Sequence, residues 1–205
     1  AIRCHPYVLK EMQAAKMDDR AKGLEEFDRH LFGHIGYSIS NAVRSMLLGL
    51  SFAQFAAVPH DRKTAKYYKK LTRYSASLAF ASDIAMLSLG GKLKHKERIS
   101  GRLGDVLSQL YICSAMLKRY EMQGRPAADQ PILAWAFHDA IFKIQNALGL
   151  VVDNFPSRAV RMLLNLVIFP LGRHELQPGD RLGHKVSQLL MHRSEEHTSE
   201  LQSPD

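Results

Sequence analysis

Residues 98–120 read RISGRLGDVLSQLYICSAMLKRY, and this stretch decides the fold class. Its apolar residues recur at alternating steps of four and three, which places them on one side of an α-helix. Leu107 lies close enough to this row to widen it, so we expect the helix to be packed on two sides and to be among the most buried. The helix should end at Gly124, just before Pro126. The row consists of Ile99, Leu103, Val106, Leu110, Cys113, Leu117 and Tyr120.

Two glycines interrupt the first turns of this helix. Gly101 and Gly104 each cost about 1 kcal/mol of helix stability relative to alanine. A helix that keeps both is expected to lie close to another backbone.

The same spacing of apolar residues continues through most of the chain. It predicts further helices over residues 2–17, 20–58, 61–89, 129–155, 157–167 and 179–191, and no convincing strand pattern occurs. Residues 45–58 carry no charge, but the run is too short to span a bilayer, and we predict a buried helix there. Asp61, Asp129 and Ser157 are the predicted helix caps. The sequence therefore predicts an all-α fold, a bundle of about six mostly antiparallel helices.

Composition is that of an ordinary soluble protein, with 46% hydrophobic and 23% charged residues among 205. The two cysteines, Cys4 and Cys113, lie far apart, so a reducing compartment is the default expectation. Cys113 falls in the apolar row and is predicted to be an inert buried thiol. The net charge of +8 favours anionic partners.

One basic cluster is the candidate for such a contact: Lys92, Lys94, Lys96, Arg98 and Arg102. It is interpreted either as a solvated helix face or as a contact to an anionic surface, such as lipid headgroups or an acidic partner. Nucleic acid is not expected as a partner, because no recognised binding motif accompanies the charge. No catalytic, cofactor-binding or metal residue is assigned. His30 and His34 share a helix face but lack a third ligand at suitable spacing.

The ordered motifs resemble a known family. The stretch over residues 98–120, together with Gly90-Gly91, Gly124-Arg125-Pro126, Asn154-Phe155-Pro156 and the segment VIFPLGRH at 167–174, is similar to the C-terminal helical domain of the large bacterial, FadE-type acyl-CoA dehydrogenases. The resemblance extends to about Leu190. It implies a parent enzyme of fatty-acid β-oxidation that uses FAD, a fatty acyl-CoA substrate and an electron acceptor, and that forms a homo-oligomer. In that family the catalytic glutamate lies before the segment matching Ala1, so none is assigned here.

The resemblance also predicts a division of the chain. Residues 1–18 would be the tail end of the catalytic domain and residues 19–192 the C-terminal helical domain. Residues 193–205 resemble a translated sequencing adaptor and are predicted to be non-native. The expected role is non-catalytic support of the flavin domain, of the dimer or of a membrane contact. The expected location is the cytoplasm, either free or peripheral to the membrane's inner face. The alternative is a stand-alone helical interaction module that binds an anionic surface or an acidic partner.

Overall fold

Seven α-helices and two 3₁₀ segments form the part of the chain that the computed structural model describes, residues 5–58 and 64–202. The side chains of Lys94 and of residues 193–202 lie outside that description. No β-strand occurs within the described ranges, and the helices pack together, which confirms the predicted all-α bundle. The helices are α1 (Val8–Ala14), α2 (Arg20–Leu50), α3 (Ala65–Leu89), α4 (Glu97–Met122), α5 (Gln130–Asp153), α6 (Arg158–Ile168) and α7 (Asp180–Gln202), and the 3₁₀ segments are Gly90–His95 and Ala127–Asp129.

Local sequence signals explain several of the helix ends. The hydroxyl of Ser157 accepts the backbone N–H of Val160 at 3.4 Å and caps α6, as predicted. Gly124 follows α4 with a φ of 78°, a left-handed conformation that glycine adopts without strain. Asp129 precedes α5 as predicted, although its side chain makes no capping hydrogen bond. The predicted cap Asp61 lies outside the described residues.

The helix predicted over residues 20–58 is shorter than expected, because α2 ends at Leu50. Phe52 and Ala53 follow with φ values of 48° and 63°, and a right-handed helix cannot continue through that conformation. The prediction of one buried helix over the uncharged run was therefore wrong. The helical part of that run also leaves Leu47 half exposed.

Helix α5 is the most buried of the described helices and lies against α3, α4, α6 and α7. It carries charge at only three positions, Asp139, Lys143 and Asp153, so several of its faces can enter the core. Helix α4, which was predicted to be among the most buried, packs instead along α5 and α3 and leaves its remaining face in solvent. The predicted rows do point inward: α5 buries Phe137, Ile141, Ile144, Leu148 and Val151, and α4 buries Ile99, Val106, Leu110, Cys113 and Leu117.

Three residues of α4 depart from their predicted surroundings. Leu107 does not widen the packed row, because its side chain is 61% exposed. A Cβ atom built on Gly101 or Gly104 would meet nothing within 4 Å, so no neighbouring backbone requires either glycine. The prediction of a close backbone at this point was wrong.

Candidate functional site

The predicted basic cluster lies where a 3₁₀ turn leads into α4. Lys92 is on the 3₁₀ segment and Lys96 occupies the residue just before α4, and both side chains are exposed. Arg98 is exposed in the first turn of α4, while Arg102 is half-buried one turn later. Lys94 lies in the 3₁₀ segment, but its side chain is outside the described part.

The structure brings only part of this cluster together. Lys96, Arg98 and Arg102 line a surface cleft of about 370 Å³, whereas Lys92 does not. The opposite wall comes from the segment after α5, which contributes Asn154 and Pro156. The cleft is thus rich in cations and could accept an anionic group at its surface.

Other contacts limit the charge of this cleft. The Nη1 of Arg102 donates to the backbone carbonyl of Leu150 at 3.1 Å, near the end of α5. That carbonyl lies at the negative end of the α5 dipole, which suits a guanidinium. Glu97 also lines the cleft and places a carboxylate among the cations.

A second cluster of polar side chains is buried between α1, α2 and α3. The Nε2 of His5 lies 2.9 Å from Oδ1 of Asp83, and the hydroxyl of Ser38 donates to the other oxygen of that carboxylate at 2.8 Å. His34 is only 3% exposed, and its Nδ1 lies 2.8 Å from Oε1 of Glu11. These contacts join three helices through side chains that are far apart in the sequence.

The protonation of His5 follows from its neighbours. Its Nδ1 accepts the backbone N–H groups of Tyr7 at 3.3 Å and Val8 at 3.1 Å, so that nitrogen carries no proton. The proton of the neutral ring is therefore on Nε2 and is donated to Asp83. His5 caps the start of α1 and at the same time fastens it to α3.

The ligand atoms of His5, His34 and Asp83 all lie within 4.8 Å of one another. Two histidines and one carboxylate form a recognised set of metal ligands. A neutral histidine binds a metal through Nε2 when its proton is on Nδ1. In His5 the Nδ1 atom accepts two backbone N–H groups, so it cannot carry that proton. The hydrogen bonds of His5 therefore fit a structural cluster better than a metal centre, even though Nε2 of the buried His34 has no hydrogen-bond partner among the described residues.

Sequence reasoning missed most of this polar cluster. It paired His34 with His30, but the fold turns His34 inward to Glu11, while the Nε2 of His30 lies 3.5 Å from a carboxylate oxygen of Glu26 at the protein surface. A usable signal existed in the polar residues His34, Ser38, Asn41 and Ser45, which recur at helical spacing. Such a row indicates one face of a helix.

The thiol of Cys113 is buried, as predicted, and burial raises its pKa to about 12. A thiol with this pKa stays protonated at neutral pH, so it is a poor nucleophile. Within the described ranges, no helix is long and apolar enough to cross a membrane.

A family model described as "Acyl-CoA dehydrogenase, C-terminal, bacterial type" matches residues 2–203. The chain belongs to this family. The resemblance of its motifs to that C-terminal domain is thereby confirmed. No solved structure matches the chain at a significant level.

Four clefts on the described part of this acyl-CoA dehydrogenase C-terminal domain are small for a flavin. The clefts described on its surface have volumes of about 280–370 Å³. That is the lower end of the range for drug-sized ligands, and FAD is larger than these. None of these four clefts could enclose FAD by itself, and we assign no step of flavin chemistry to the residues that line them.

Proposed function

We propose that this chain is the helical C-terminal region of a flavin-dependent acyl-CoA dehydrogenase of fatty-acid β-oxidation, and that it supports the catalytic part without performing the chemistry. The match of the family model over residues 2–203 carries this proposal. The parent enzyme would bind FAD, a fatty acyl-CoA and an electron acceptor mainly through residues outside this chain.

The buried polar groups of the domain support a structural role. Asp83 is paired with His5 and Ser38, and Glu11 with His34, so these carboxylates hold helices together. Removal of an α-proton from an acyl-CoA needs a base that can reach the substrate from an open site. Asp83 is 1% exposed and cannot meet that requirement.

Two measurements on purified protein test this proposal. The isolated chain, incubated with FAD and desalted, should show no flavin absorbance and no oxidation of acyl-CoA with an artificial electron acceptor. A yellow, active preparation would contradict the proposal.

The parent enzyme with residues 19–192 removed should retain flavin less well and melt at a lower temperature than the intact enzyme. If the truncated enzyme keeps its flavin, its stability and its kcat, the domain does not support the catalytic part.

A second candidate function is contact with an anionic membrane surface, peripheral to the cytoplasmic face. The convergence of Lys96, Arg98 and Arg102 on one cleft favours it. Each cation near an acidic lipid surface contributes about 1 kcal/mol of attraction, less when salt screens it.

Co-sedimentation with vesicles tests the membrane contact. Replacement of Lys92, Lys94 and Lys96 by glutamine removes three charges and should reduce binding to vesicles rich in phosphatidylserine. The matched control replaces Lys16, Lys22 and Lys118, which removes the same charge from other exposed sites. Equal binding by the two triple variants, or no binding by the parent chain, would leave the cluster as a solvated face.

A further inference from the structure

Helix α2 has its polar face inside and its apolar face outside. Most of the side chains that it buries are small or polar, among them His34, Ser38, Asn41 and Ser45, and Leu48 is its buried large apolar residue. Ser45, for example, bonds to Ser77 of α3 at 2.8 Å. A surface helix of a globular protein normally shows the reverse arrangement, with its apolar stripe against the core.

The opposite face of α2 carries a continuous apolar row. Ile39 at its middle is 58% exposed, and the charged side chain nearest to this part of the row, Arg44, lies to one side. Between residues 31 and 58 no other Lys, Arg, Asp or Glu occurs. The row consists of Phe32, Ile35, Ile39, Val43, Leu47 and Leu50, with exposed fractions from 45% to 71%.

Helix α6, a neighbour of α2, also carries exposed apolar residues. It packs against α2, where Pro170, just after α6, sits against Gly49. Met162 and Leu166 on the outward side of α6 are 75% and 61% exposed. The exposed apolar side chains of the α2 row, of α6 and of Phe55 in the turn after α2 add up to on the order of 1,000 Å².

The spacing along the outward row is symmetric. The steps from Phe32 to Leu50 are three, four, four, four and three, so the row reads the same in both directions about position 41. An antiparallel copy of α2 would place Phe32 opposite Leu50, Ile35 opposite Leu47 and Ile39 opposite Val43. A self-complementary patch of this kind is what a two-fold interface requires.

We propose that two copies of the chain pair through this outward face, with their α2 helices antiparallel about a two-fold axis near residue 41. The summed area of the exposed apolar side chains is sufficient for such pairing, since a stable interface buries about 800 Å² on each partner. Gly36 lies within the face, and a Cβ atom built on it would meet nothing within 4 Å, which leaves the partner's side chains room to approach. A lipid surface suits the face less well, because interfacial helices carry several cations beside their apolar face. This inference does not depend on the proposed enzymatic role.

Sedimentation of the full 205-residue chain over a range of concentrations tests the pairing. The chain should sediment as a dimer at micromolar concentration, and Ile39→Glu should raise the dimer dissociation constant about tenfold or more, because the interface would bury two unpaired carboxylates. Leu107→Glu is the matched control. Leu107 has the same size as Ile39 and also lies on a long helix, and its side chain is 61% exposed against 58% for Ile39. Circular dichroism and the thermal midpoint establish that both variants fold.

Cysteine cross-linking tests the direction of the pairing. In a Cys4→Ser background, Phe32→Cys and Leu50→Cys are prepared as separate proteins and treated with a short thiol cross-linker. Antiparallel pairing brings residue 32 of one copy to residue 50 of the other, whereas two copies of residue 32 lie roughly 27 Å apart along the helix. Cys113 is buried with a raised pKa, so it stays out of the reaction.

The expected result is a cross-linked dimer in the mixture of the two proteins and little in either one alone. A monomer at all concentrations, or a dimer that Ile39→Glu and Leu107→Glu affect equally, would overturn the proposal. Cross-linking of Phe32→Cys with itself would overturn the antiparallel arrangement.

Discussion

The side-chain amide of Gln145 bonds to both backbone polar groups of Glu175. Its Nε2 donates to the carbonyl at 3.0 Å, and its Oε1 accepts the backbone N–H at 2.9 Å. The same glutamate's side chain accepts from Lys70 at 2.5 Å and from the hydroxyl of Tyr74 at 3.4 Å. These bonds hold the segment between α6 and α7 against α3 and α5.

Gln145→Ala should lower the free energy of unfolding by about 1–3 kcal/mol, because it leaves the half-buried backbone N–H and carbonyl of Glu175 without their side-chain partner. Urea unfolding measures the change. The control is Gln109→Ala on α4, which is half-buried and has no role in this segment. Equal losses in the two variants would contradict the anchoring role of Gln145.

Leu110→Ala should destabilise the fold by about 2–5 kcal/mol, through lost burial and the cavity that remains. Leu110 is 7% exposed in the packed row of α4. Leu107→Ala, three residues earlier but 61% exposed, should change stability by less than about 0.5 kcal/mol. Thermal denaturation compares the midpoints of the two variants. A larger fall in the midpoint for Leu107→Ala would show that the packed row is misplaced.

Gly49→Ala should destabilise the chain, because the added Cβ would lie 2.8 Å and 2.9 Å from ring atoms of Pro170. Gly101→Ala should instead stabilise it by about 0.5–1 kcal/mol, because open space surrounds that position and alanine favours helix. The two glycine substitutions are therefore expected to change the stability in opposite directions. A stabilising Gly49→Ala, measured by urea unfolding, would show that Pro170 does not pack closely on α2.

His138 should make the fold sensitive to acid. Burial lowers its pKa, as do the nearby charges of Lys70 and Lys66, and Glu175 acts in the opposite direction. Since the folded state holds this proton less tightly than the unfolded state, the contribution is fully present above the unfolded value of about 6.5 and is lost as the pH falls below it.

Urea unfolding of His138→Gln between about pH 7.5 and pH 5 measures this effect. The variant should lose less stability than the parent over that range. Parallel stability profiles for the two proteins would show that His138 does not contribute.

Deletion of residues 193–205 should leave the thermal midpoint nearly unchanged. The backbone of α7 continues to Gln202, but the segment offers only Leu201 as a large apolar residue. One such residue gains too little burial to offset the entropy of ordering the segment. A fall of several degrees on deletion would show that the segment belongs to the fold.

Periodicity alone predicted the inward rows of α4 and α5. Both rows are strongly apolar, and helix geometry puts residues at steps of three and four on one side whatever the neighbours are. Leu117 and Ile144, for example, are fully buried as their positions in these rows require. The basic cluster was also visible, since its cations are adjacent in the chain. The cleft was not, because Asn154 and Pro156 come from about fifty residues farther on.

The sequence by itself determined that the chain is helical, where most helices lie, and to which family its motifs belong. Only the tertiary structure decided which face of α2 is inside. The helical period shows that α2 has an apolar face and a polar face. Which of the two faces turns inward depends on the side chains that the neighbouring helices place against α2. Helix α3 offers Asp83 and Ser77, which bond to Ser38 and Ser45, so the polar face of α2 turns inward and its apolar face is left outside.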